Sequence, residues 1–159
     1  MKIAILTVSD KGSQGLREDA SGPVIRDIFT DRGDEVVFYE VIPDEKEIIS
    51  KKLRELADNE RADLLVTTGG TGFAPRDVTP EATGEVIDRE VPGLGEKMRA
   101  ETAKYTELAY LSRARAGLRH RSLILNLPGS PRAVKECLAT VIDIIPHGIS
   151  VLQGEITEH

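Results

Sequence analysis

The sequence predicts an α/β fold: one three-layer domain spanning 1–159, with a mostly parallel sheet and helices on both faces. Four short apolar runs, at 2–8, 35–42, 62–68 and 122–127, read as strands. Amphipathic stretches separate them, and alternating β and α units imply a parallel sheet with right-handed crossovers. KIAILTV, ADLLVTT and SLILNL are nearly continuous in aliphatic and β-branched residues, as strands covered on both faces are. A chain of 159 residues fits one such domain.

Each element has its own signal. The first strand, 2–8, runs into a long loop with Gly12 and Gly15. Val24, Ile25, Ile28 and Phe29 then recur at helical spacing over 23–32, with Gly22 as the cap and Pro23 as the first helical residue. After the second strand, Asp44 with Glu47 three residues on reads as a capping box. It opens a helix over 45–59 whose apolar face carries Ile48, Ile49, Leu53, Leu56 and Ala57. The third strand is followed by helical stretches at 80–90 and 93–105, the first capped by Thr79 before Pro80. After the fourth strand, Ser130 caps a helix beginning at Pro131 and running to 145, with Val134, Cys137, Leu138, Val141 and Ile145 on one face. The last residues, GEITEH, read as frayed.

Composition excludes several classes. The net charge is −6 and the aromatics are only Phe and Tyr, which argues against general nucleic-acid binding. A phosphate ligand would need local neutralisation by a bound cation, a few arginines and backbone amides. Cys137 is the only cysteine, so no disulfide framework or cysteine-rich zinc site forms within one chain. The histidines, His120, His147 and His159, show no metal-ligand spacing. No apolar run approaches the ~20 residues of a membrane span. MKIAILTVSD reads as a strand and not as a signal peptide. The expectation is a cytoplasmic protein with no membrane and no nucleic acid among its partners.

In open α/β sheets, ligands bind beyond the carboxyl ends of the strands. The unusual residues gather there: Ser9 and Asp10, Pro43 and Asp44, the stretch TTGGTGFAPRDVTP (67–80), and LPGSPRA (127–133). Gly69, Gly70 and Gly72 allow successive N–H groups to face one concavity, an anion-binding nest. Ser130 and Pro131 open a helix directly after Gly129, and helix N-termini favour phosphate. The same features also read blandly, as a tight turn and as plain caps. Neither the phosphate-loop lysine pattern nor the dinucleotide fingerprint fits the glycines. The basic run SRARAGLRHR (112–121) reads by default as a solvated loop or a subunit contact.

TVSD (7–10), DASGP (19–23), IPDE (42–45), TTGGTGFAPRDVTPEAT (67–83), PGLGEKMR (92–99), LSRA (111–114) and NLPGSPRAVKECL (126–138) together resemble the MogA/MoaB family of molybdopterin adenylyltransferases, shared with the G domain of gephyrin. The resemblance covers almost the whole chain, in order. It departs at Ser130, where the family commonly has Asn or Gln. It implies transfer of AMP from ATP to the terminal phosphate of molybdopterin, with Mg²⁺ as cofactor and ATP as co-substrate. It also implies a homotrimer and a downstream molybdate insertase. Carried over residue by residue, it implies Asp44 and Asp77 as catalytic magnesium ligands. Ser9, Asp10, Gly69, Gly70, Thr71, Gly72, Gly129 and Ser130 then fall at the nucleotide, and Ser112 and Arg113 at the pterin. The alternative it leaves open is a non-catalytic molybdopterin-binding module. Arg76 either neutralises phosphate or orients Asp77.

Overall fold

A computed structural model describes residues 1–59 and 61–157. Glu158 and His159, at the end of the stretch expected to fray, lie outside them. Six strands form one sheet in the order β2-β1-β3-β6-β5-β4. They are β1 (Lys2–Val8), β2 (Glu35–Ile42), β3 (Leu64–Thr68), β4 (Arg89–Glu90), β5 (Ala116–Arg119) and β6 (Ser122–Leu127). The four strands read from sequence are the parallel core, and β5 and β4 extend it antiparallel. The three-layer α/β arrangement thus holds.

A single helical turn, α1 (Asp10–Ser13), follows β1. The period of two sorts the core. Ile3, Ile5, Leu64, Val66, Leu123 and Leu125 face one layer, built from α2 (Ser21–Asp31), α5 (Pro92–Thr102), α6 (Pro131–Val141) and α7 (Ile145–Leu152). Ala4, Leu6, Leu65 and Ile124 face the other, built from α3 (Lys46–Asp58) and α4 (Thr79–Gly84). Two cores back to back explain why the central runs are apolar without alternation.

Several boundaries differ from expectation. The helix expected at 80–90 stops at Gly84, because 89–90 pairs with β5 as a strand. The helix expected to reach 145 ends at Val141, and Pro146 sits in the first turn of a separate helix. Gly22 does not cap α2: Asp19 accepts from Ser21 N at 3.0 Å and Gly22 N at 3.1 Å. The capping box is absent, since Glu45 is the N-cap of α3, without a side-chain bond, and the Asp44 carboxylate turns elsewhere. Ser130 does cap α6, accepting from Ala133 N at 3.2 Å. The basic run 112–121 is no solvated loop. It contains β5, with Arg113 bonded to Glu81, Arg115 to Glu90 and Arg119 to Asp58.

The chain leaves β1 for β2 on one side and returns to β3 on the other. That switch in direction opens a crevice between the ends of β1 and β3.

Candidate active site

Gly69 follows β3 at φ +96° and closes that crevice from below. A side chain there would collide with the Val8 carbonyl oxygen at the end of β1. Gly70, at φ +67°, turns the chain again, and its missing Cβ lets Thr79 Oγ1 and Asp44 Oδ1 crowd the turn. Left-handed backbone at two consecutive positions is what glycine tolerates and other residues resist.

The turn's polar groups divide cleanly. Its carbonyls are tied back to protein: Thr79 N donates to Gly70 O at 3.1 Å, Arg113 N to Thr71 O at 2.9 Å, and Arg113 Nε to Gly72 O at 2.8 Å. The N–H groups of Gly70, Thr71, Gly72 and Phe73 have no acceptor among the described residues. Four successive donors are thus left for a ligand, and fixed amide dipoles of this kind favour an anion. Gly129 packs against Gly69 from the β6 side and carries the opening of α6 into the same crevice.

The family model described as "Probable molybdopterin binding domain" matches residues 4–147. The chain belongs to this family. The molybdopterin adenylyltransferase of Helicobacter pylori (strain 26695) is 44% identical over 154 residues, covering 96% of this chain and 88% of that protein. The enzyme of that name from Escherichia coli K12 is 42% identical over 155 residues, covering 94% of this chain and 80% of that protein. The crystal structure of the molybdopterin biosynthesis enzyme MoaB from Thermus thermophilus is 52% identical, covers 96% of each chain and superposes with a TM-score of 0.91.

In this member of the family the crevice has two lobes. The larger, of about 620 Å³, is lined by Gly70, Thr71, Gly72, Asp77 and Ser112, with Met98 and Cys137 among its apolar walls. The smaller, of about 490 Å³, is lined by Ser9, Gly12, Arg17, Ser21 and Gly69. Gly129 and Ser130 border both. Nine of the residues singled out in sequence therefore meet at this crevice: Ser9, Gly69, Gly70, Thr71, Gly72, Asp77, Ser112, Gly129 and Ser130.

Asp44 and Asp77 flank the turn. Asp77 Oδ2 accepts from Ala74 N at 2.9 Å and lies 2.8 Å from where a Cβ on Gly72 would stand. Asp44 Oδ2 accepts from Asp10 N at 2.8 Å, and its Oδ1 borders Gly70. Burial raises the Asp44 carboxyl above its ordinary value. The bond from Asp10 N opposes that, and the charges of Asp10 and Asp77 add to it.

Three arginines near the turn point at protein. Arg76 grips Asp10 with Nε at 2.7 Å and a terminal nitrogen at 2.9 Å, and reaches Glu45 at 2.8 Å. That first bond holds the Asp10 carboxyl below its usual value. Of the two roles foreseen for Arg76, orienting Asp77 directly is not what its side chain does here, since its bonds go to Asp10 and Glu45. Arg113 aims its guanidinium at Gly72 O, Asp77 O (2.7 Å) and the Glu81 carboxylate. Arg99 donates to the carbonyls of Ala114 (2.9 Å) and Ser112 (3.3 Å).

Two supporting residues were not read from sequence. Asn126, fully buried at the end of β6, donates to Thr67 Oγ1 and Thr83 Oγ1 at 2.9 Å each and accepts from Arg115 N. Asp19 gathers Thr7, Tyr39, Ser21 and Gly22. Burial alone would raise its carboxyl, but those four hydrogen bonds override it and hold it low. A polar residue inside the apolar run SLILNL was the available signal for Asn126. Asp19, two residues before a helix start, was the signal for its turn.

Proposed function

We propose that this chain transfers AMP from ATP to the terminal phosphate of molybdopterin, releasing pyrophosphate. The observation that carries the reading is the turn at 70–73, whose carbonyls at 70–72 are tied back, whose N–H groups have no acceptor among the described residues, and which two carboxylates flank. Membership of the family and the names of the 42–44% identical relatives support it.

The reaction asks little of acid–base chemistry. A phosphate monoester has its second pKa near ~6 and is already mostly dianionic at neutral pH. One of its oxygens attacks the α-phosphorus of ATP. A new phosphoric anhydride bond forms, the α–β bridging bond breaks, and pyrophosphate leaves with that electron pair. No proton needs to be removed, which fits a crevice without a histidine among its lining residues. The barrier is electrostatic, because two anions must meet. Donors fixed in advance at 70–73 meet developing charge on the α-phosphoryl oxygens without reorganising.

The residues fit a Mg²⁺ that arrives with its nucleotide. No group of three or more His, Cys, Asp or Glu gathers to hold a metal among the described residues. Asp44 and Asp77 repel each other across the turn. Two such carboxylates, with phosphates completing the set, suit a magnesium–nucleotide complex. When bound, the ion neutralises phosphate charge; holding it falls to Asp44 and Asp77. In this reading Ser9, Gly69, Gly129 and Ser130 face the nucleotide and Ser112 the pterin. The family resemblance extends the proposal to a homotrimer in the cytoplasm that passes its product to a molybdate insertase.

The test is direct. Protein mixed with molybdopterin and Mg²⁺–ATP is expected to release pyrophosphate and form an adenylylated pterin. Pterin binding without pyrophosphate release refutes the enzymatic reading.

A further inference from the structure

Asp10 and Asp44 hold each other. Asp10 N donates to Asp44 Oδ2 at 2.8 Å, and Asp44 N donates to Asp10 Oδ1 at 3.0 Å. This reciprocal pair joins the ends of β1 and β2, 34 residues apart. Arg76 then closes over the outer side of Asp10 with two further bonds and ties itself to Glu45. Asp10 Oδ1 thereby accepts two hydrogen bonds and Oδ2 one, which takes three of roughly four acceptor sites on a carboxylate. Asp44 accepts a single one, at Oδ2, and its other oxygen borders the glycine turn.

The asymmetry assigns different work to two neighbouring acids. We propose that Asp10 is a positioning residue: clamped by Arg76, it fixes the orientation of Asp44 and does not itself contact the nucleotide. The proposal rests on Asp44 serving the magnesium–nucleotide. Two carboxylates this close repel unless one is neutralised. The bidentate Arg76 supplies that charge to Asp10 in the geometry that suits guanidinium and carboxylate. Asp44 is then left as the carboxylate facing the turn. Partners that orient a metal-binding carboxylate cost about 10–100-fold in metal affinity or activity when removed.

Asp10→Ala, Asp10→Asn, Arg76→Ala and Asp44→Asn separate the possibilities. Two quantities are read for each: binding of Mn²⁺ with a non-hydrolysable ATP analogue by electron paramagnetic resonance, and the Mg²⁺ concentration giving half-maximal turnover. A thermal melt confirms that each variant folds. Asp10→Ala and Arg76→Ala are expected to weaken Mn²⁺–nucleotide binding and raise the half-maximal Mg²⁺ concentration by about tenfold or more. KM for molybdopterin stays within about twofold, because neither side chain lines the larger lobe, where Ser112, the residue proposed to face the pterin, lies. Asp10→Asn keeps an oxygen for Asp44 N and loses the charge that Arg76 grips, so it falls between wild type and Asp10→Ala. If Asp44→Asn abolishes metal–nucleotide binding while folded Asp10→Ala leaves it unchanged, the positioning role is overturned and the reading of Asp44 survives. If Asp44→Asn also leaves it unchanged, both fall. If Asp10→Ala raises KM for ATP without moving the Mg²⁺ requirement, Asp10 is a nucleotide contact and the proposal is overturned.

Discussion

Replacing Gly69 with alanine tests whether the crevice floor is as tightly built as its geometry states. The position carries two separable costs. Its φ of +96° is strained for any residue with a Cβ, at about 1–3 kcal/mol. The new methyl also meets the Val8 carbonyl, a backbone atom held in the central strand β1, and overpacking costs about 1–3 kcal/mol more. Gly15 provides the internal control. It has φ +73°, and a Cβ added there would meet nothing within 4 Å, so alanine carries the backbone cost alone. For a chain of this length each kcal/mol shifts Tm by about 2–4 °C. Gly69→Ala is therefore expected to melt about 4–24 °C below wild type, and Gly15→Ala about 2–12 °C below. Urea unfolding followed by circular dichroism gives the free energies, and pyrophosphate release gives activity on the same samples. Activity should fall further than stability for Gly69→Ala, since any relief of the clash moves the N–H groups at 70–73. Equal destabilisation by the two variants refutes the claim that β1 and the turn are in rigid contact.

Asp44→Asn is expected to abolish adenylylation and to melt at or above wild type at pH 7. A carboxyl whose folded pKa is raised binds its proton more tightly when folded, so its ionisation destabilises the fold as pH rises through the carboxylate range. The difference in Tm should vanish below pH ~3.8, where both states hold the proton; a variant that melts well below wild type at pH 7 contradicts this. Arg113→Lys cannot reproduce bonds to Gly72 O, Asp77 O and Glu81 together, and should lower kcat by about tenfold or more with the fold retained. A change confined to KM for molybdopterin would instead make Arg113 a pterin contact. Cys137, buried and with its thiol pushed up to about 11 by burial, should resist a thiol reagent at pH 8 until urea unfolds the chain. Prompt labelling of the native protein would show that the larger lobe opens to bulk solvent.

The parallel core was legible because its signals are local. Ile3 and Ile5 against Ala4 and Leu6 announce a strand covered twice, and Ser130 before Pro131 announces a cap. What escaped is set by distant partners. Asp44 and Glu47 have capping-box spacing, yet the Asp44 carboxylate takes a donor 34 residues away. Strand β5 hides in SRARAGLRHR because Arg113 and Arg115 precede it and Arg119 ends it, and their charges reach Glu81, Glu90 and Asp58 in other elements. Read as a string, the run is basic; folded, three of its four arginines are paired with carboxylates. Motif likeness points Asp10 and Arg113 toward ligands; the string could not show that Asp10 also bonds Arg76 and Asp44 N, or that Arg113 also bonds Gly72 O, Asp77 O and Glu81.

Those committed arginines bear on how substrates arrive. Arg76, Arg99 and Arg113 give their charge to protein carboxylates and carbonyls, so the turn attracts anions chiefly through amide dipoles, whose pull fades within a few ångströms. Beyond that range an approaching polyanion meets a molecule of net charge −6. A net charge of that sign opposes the electrostatic steering that speeds capture by basic clefts, and Arg17 at the smaller lobe offsets it only locally. Added salt should accelerate the encounter by screening the repulsion, while the docked phosphates, sheltered in the crevice, feel it least.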